Sequence, residues 1–93
     1  DDKLLSRGKP APDPYLLAAE RLNIKPQECW AVEDSISGLT SALEAGCFVF
    51  FLQEKRSGVE KKEVFINNKN LLSISHLKEI EQMLNGYQIN KVC

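Results

Sequence analysis

Apolar positions along the chain change spacing several times, and each change marks an element. Tyr15, Leu16, Ala19 and Leu22 recur at helical intervals, which predicts a helix from about Pro14 to Leu22. Asp13 is a suitable N-cap for it, and Pro14 suits the first helical position, where a missing N–H costs nothing. Asn23 is a fitting stop, with Pro26 just beyond. Cys29 to Val32 is then a short unbroken apolar run, the pattern of a strand buried on both faces. It ends abruptly at Glu33-Asp34-Ser35, where Asp34 or Ser35 can cap a second helix reaching about Ala45. Ile36, Leu39, Ala42 and Leu43 form its apolar stripe, and Gly46 stands in the usual place after a helix end. Cys47 to Leu52 follows as a second buried strand.

Strand, helix, strand in that order is a βαβ unit, and the Asp34–Gly46 connection is long enough for the crossover that parallel strands need. The flanks are less regular. Residues 1–12 read as a loop containing Gly8, Pro10 and Pro12. Residues 53–63 carry charges of both signs around Gly58 and read as a solvated loop, followed by a short edge strand at Val64–Ile66 and turn chemistry at Asn67–Asn70. From about Ser75, Leu77, Ile80, Met83 and Leu84 outline a last amphipathic helix ending at Asn85-Gly86. The expected organisation is one α/β unit over 1–86 and a loosely held tail over 87–93.

Composition narrows the function classes. In 93 residues, 43% hydrophobic and 27% charged, the chain has the make-up of an ordinary globular domain or part of one. A net charge of −1 leaves no basic footprint for nucleic acid. No apolar run approaches the roughly 18 residues of a membrane span. Cys29, Cys47 and Cys93 form no C-x-x-C pair, so free thiols and a cytoplasmic location are expected. Gly-rich dinucleotide loops, a P-loop, Gly-x-Ser-x-Gly and His clusters are all missing from the sequence.

Two places hold candidate chemistry. Glu33-Asp34 closes a buried strand, and the C-terminal rim of a parallel sheet is where open α/β folds keep ligands. Carboxylates there suit Mg²⁺, which takes one or two of them with water and phosphate. The plainer alternative is that Asp34 caps a helix while Glu33 is solvated. Lys9 lies in a stiff Gly-Lys-Pro-Ala-Pro-Asp loop, where a fixed ammonium could neutralise phosphate; the alternative is an ordinary surface lysine. Gly38 inside a helix costs about 1 kcal/mol against alanine, a sign of close packing or ligand approach. His76 stands alone, in a surface or capping role, and Trp30 reads as core.

The stretches G-K-P-A-P-D-P-Y-L-L-A-A-E-R-L-N-I (Gly8–Ile24) and C-W-A-V-E-D-S-I-S-G-L-T-S-A-L-E-A-G (Cys29–Gly46) resemble the C-terminal half of a haloacid-dehalogenase (HAD) superfamily hydrolase. Their pattern is that of the branch holding phosphoglycolate phosphatase-like, sugar-phosphatase and β-phosphoglucomutase-like enzymes. The resemblance implies part of a Rossmann-like core. It assigns Lys9 to steadying nucleophile and phosphoryl group, Asp34 to direct Mg²⁺ ligation and Glu33 to ligation through water. It also implies a cis Lys9–Pro10 bond. The implied reaction is hydrolysis of a small phosphorylated metabolite through an aspartyl-phosphate. The chain departs from the family in having no Asp-x-Asp motif, which carries the nucleophile, no upstream Ser/Thr phosphate motif and no cap domain. The expectation is therefore a fragment, inactive alone, that associates with its missing half or with itself. A phosphomutase, or a non-catalytic α/β interaction module, is the alternative.

Overall fold

The computed structural model describes residues 7–53 and 68–85. Helix α1 (Asp13–Arg21) leads through a 3₁₀ turn (Pro26–Glu28) into strand β1 (Trp30–Glu33). Then come α2 (Ile36–Ala45), β2 (Phe48–Leu52), β3 (Leu71–Ile74) and α3 (Lys78–Leu84). The three strands form one parallel sheet in the order β1-β2-β3. This is the α/β architecture with a βαβ unit that the pattern predicts, and the partial Rossmann-like core that the resemblance implies, with β2 in the middle and β1 at an edge among the described residues.

Local chemistry accounts for most boundaries. Ser35, in extended backbone, caps α2 by accepting the Gly38 N–H, so Asp34 is not the cap. Gly46 ends α2 at φ 100°, a conformation that costs a glycine little. Asn23 ends the turn after α1 at φ 56°. The Asp13 cap is corrected: α1 starts at Asp13, Pro12 already has helical torsions, and no side chain caps the helix. Asp13 instead turns back to accept from the Arg7 backbone N–H (3.0 Å) and guanidinium (3.4 Å). The final helix starts at Lys78, later than its apolar spacing suggests, because Glu79 accepts from Ser75 N (2.6 Å) and His76 N (3.0 Å) ahead of it. His76 takes the capping role, its Nδ1 accepting the Lys78 N–H.

Strand β3 was not foreseen. Its four residues lie between a turn and a helix, and only Ile74 is buried. Pairing with β2, Val49 opposite Leu71 through Leu52 opposite Ile74, makes it a strand. The expected edge strand at 64–66, the 54–63 loop, residues 1–6 and the 87–93 tail with Cys93 lie outside the described residues.

The sheet separates two cores. On one face Ala31, Val49 and Phe51 pack with Tyr15 and Ala19 of α1 and Leu39 and Ala42 of α2. On the other, Phe50 and Ile74 meet Ile80 of α3, with Trp30, Val32, Phe48 and Leu52 partly covered. Trp30 packs edge-on to Phe50 at 4.9 Å between ring centroids, so it belongs to this second cluster rather than to a sealed core. Cys29 and Cys47, one step before the Trp30–Phe48 pair, are free and fully buried. Burial first, and the neighbouring Cys29 thiol second, push the Cys47 thiol up to about 11. No helix of the described residues is long and apolar enough to cross a membrane.

Candidate functional site

Strand alternation decides where the two acids of β1's end go. Ala31 and Glu33 face the α1–α2 side, while Trp30 and Val32 face the other. Glu33 is therefore carried into the interior, where it is 7% exposed, and Asp34, one residue past the strand, is exposed. A carboxylate buried to that degree needs partners. Glu33 Oε2 accepts from Lys9 Nζ at 2.7 Å and from the Tyr15 hydroxyl.

Lys9 reaches this place because its loop is tied down. The Lys9–Pro10 bond is cis, as the resemblance implied. Ala11 N–H closes a turn onto Gly8 O at 3.0 Å. Ser41, fully buried on α2, donates to Ala11 O at 2.7 Å and so fastens the loop to the helix. The Arg7 backbone N–H holds the Asp13 carboxyl below its usual range; burial opposes it next in size, and the Arg7 guanidinium adds a lesser downward pull. Lys9 stays 40% exposed at its side chain, so one flank of the ammonium pairs with Glu33 while another faces solvent.

Gly38 of α2 lies against Glu33. A Cβ built there would overlap Glu33 Oε1. Close packing, one of the two readings of this helical glycine, is thus its role.

The structure brings Lys9 and Glu33 together directly. Asp34, the residue after Glu33, is exposed just past the strand end. Glu33 is buried rather than solvated, whereas Lys9 is exposed, as the plain reading of a surface lysine has it, and is paired with Glu33 as well. Two members escaped the sequence reading. Tyr15 looked like core, which its ring is, but its hydroxyl also serves Glu33. Ser41 carries a signal of its own, a serine among apolar helix positions, and its hydroxyl serves the Lys9 loop.

The donor set fits Mg²⁺ in part. Exposed Asp34 offers a hard oxygen ligand, and Glu33 Oε2 is already engaged by two donors. Among the described residues no three acidic, histidine or cysteine side chains converge to hold a metal. These residues suit the share of a Mg²⁺ shell that one or two carboxylates supply, the rest being water, phosphate or other ligands.

Comparison with known proteins places the sequence and the fold. The haloacid dehalogenase-like hydrolase family matches residues 1–46. Hexitol phosphatase A of Escherichia coli is 40% identical over 75 residues, covering 81% of this chain and 35% of that protein. β-Phosphoglucomutase of Bacillus subtilis is 42% identical over 48 residues, 52% of this chain and 21% of the enzyme. A HAD family hydrolase of Deinococcus radiodurans, solved with bound phosphate and sodium, superposes with a TM-score of 0.69 at 28% identity, over 86% of this chain and 35% of that one. The chain belongs to the haloacid dehalogenase-like hydrolases. It spans about a third of the length of the hexitol phosphatase and of the Deinococcus hydrolase.

Proposed function

We propose that this chain is the charge-neutralising and metal-binding part of a Mg²⁺-dependent phosphohydrolase acting on a small phosphorylated metabolite in the cytoplasm. The observation that carries the proposal is the Lys9–Glu33 contact at the C-terminal rim of a parallel sheet, with Asp34 exposed next to it. Lys9 is held on one side by Glu33 and offers its remaining N–H donors to phosphoryl oxygens, where developing negative charge is best met by a fixed cation. Glu33 keeps the ammonium from folding away. Asp34 would hold Mg²⁺, with Glu33 reaching the ion through water. The ion, when bound, would neutralise phosphate charge.

The attacking aspartate, which would form the aspartyl-phosphate, is not among these residues, since the sequence contains no Asp-x-Asp. The remainder of the core is expected to dock along the outer edge of β1, which is unpaired among the described residues, beside half-covered Trp30, Val32 and Phe48.

A chimera tests the proposal. When this chain replaces the matching third of hexitol phosphatase A, Mg²⁺-dependent hydrolysis of p-nitrophenyl phosphate is expected, and Lys9→Ala or Asp34→Ala should abolish it. The 93 residues alone should show none. Hydrolysis by the isolated chain that disappears with Asp34→Ala would overturn this division of labour. Transfer of the phosphoryl group to a second sugar position, with little release of phosphate, would favour the phosphomutase reading suggested by the β-phosphoglucomutase match.

A further inference from the structure

Tyr15 touches both partners of the Lys9–Glu33 pair. Its hydroxyl donates to Glu33 Oε2, and its ring centroid lies 5.5 Å from Lys9 Nζ, within cation–π range. The residue is 8% exposed. A core position on α1 asks only for apolar bulk, and a buried hydroxyl is a cost there unless it is bonded. This hydroxyl is bonded to the carboxylate that pairs with the lysine. The terminal torsion of a glutamate is otherwise broad. Here one oxygen takes two donors and the other is seated against Gly38, so the torsion is set.

We propose that Tyr15 is a positioning residue for Lys9. The hydroxyl fixes the Glu33 carboxylate, and the carboxylate and the aromatic ring together fix the ammonium. Tyr15 touches neither phosphate nor metal in this scheme. The inference rests on the proposed function only for its significance to phosphate chemistry; the geometry it describes is tested without any substrate.

The test is NMR on the isotopically labelled 93-residue chain, comparing wild type with Tyr15→Phe and Tyr15→Leu. Three signals are read: the Glu33 Cδ resonance, the ring-current shift of the Lys9 Hε protons, and the exchange of the Lys9 ammonium protons with water. Tyr15→Phe should keep the ring-current shift, displace Glu33 Cδ, and speed ammonium exchange about tenfold, as loss of one charge-assisted hydrogen bond allows. Tyr15→Leu should remove the ring-current shift as well. A tyrosine that merely fills the core predicts no change at Glu33 Cδ or Lys9 in Tyr15→Phe, and that result overturns the proposal. So does a change at Lys9 that only keeps step with a general rise in backbone amide exchange. Either failure would leave the Lys9→Ala outcome in the chimera, and with it the functional reading, untouched.

Discussion

Replacing Gly38 with alanine sets two effects of opposite sign against each other. Helix propensity alone favours alanine by about 1 kcal/mol. At this position, however, the new Cβ would occupy the place of Glu33 Oε1. The tip of a glutamate ordinarily swings aside at little cost, but this one is held by Tyr15 and by Lys9 at 2.7 Å. Losing the buried, charge-assisted Tyr15 bond costs about 1.5–3 kcal/mol. The Lys9 pair adds about 1 kcal/mol at most, because the lysine side chain is 40% exposed and solvent screens it. Setting a total of about 3 kcal/mol against the propensity gain leaves a net destabilisation of about 2 kcal/mol. For a domain of this size that corresponds to a fall in Tm of about 8–16 °C. Urea denaturation followed by the fluorescence of Trp30, the single tryptophan, measures it. A double-mutant cycle isolates the cause: in a Glu33→Ala background the obstacle is gone, and Gly38→Ala should stabilise by about 1 kcal/mol. If Gly38→Ala stabilises the wild-type chain, or acts equally in both backgrounds, the carboxylate does not rest against Gly38 and the reasoning fails.

Ser41→Ala leaves the Ala11 carbonyl without its 2.7 Å donor and should cost about 1 kcal/mol in the same urea assay, with faster amide exchange in the loop carrying Lys9. The Cys47 thiol is raised from 9.0 to about 11, so between those values the unfolded chain releases a proton that the fold retains. Stability should be unaffected below pH 9 and fall by about 2–3 kcal/mol as pH rises to 11, and Cys47→Ala should remove that part of the fall. Asp13 is shifted the other way: its carboxyl should titrate below 3.8 by NMR, and its contact with Arg7 should persist above that value and be lost as pH falls through the lower one. Asp13→Asn should abolish this pH dependence.

The reach of sequence reasoning in this chain follows the range of the interactions involved. The Gly46 stop and a cap at Asp34 or Ser35 depend on torsions and hydrogen bonds within a few residues and are legible in the sequence, while the choice of Ser35 comes from the structure. The two apolar runs that became β1 and β2 are legible in the same way. Asp13 shows the limit even at short range. A side-chain oxygen at a helix start can serve the helix or a neighbouring loop, and the nearby Arg7 N–H drew it to the loop. Strand β3 shows it at longer range: four residues with one buried side chain carry almost no pattern, and hydrogen bonding to β2 supplies the strand identity.

The candidate site divides the same way. Lys9, Glu33 and Asp34 were identifiable as a loop-held cation and a strand-end pair of acids, because residue type and spacing along the chain determine those properties. Tertiary structure alone separated the two acids, sending Glu33 inward and leaving Asp34 at the surface, since side-chain direction depends on which face of β1 the helices cover. It alone enlisted the Tyr15 hydroxyl and gave Gly38 its purpose, because those contacts join α1, β1 and α2 across 5 to 18 positions of sequence, too far for any local periodicity to record.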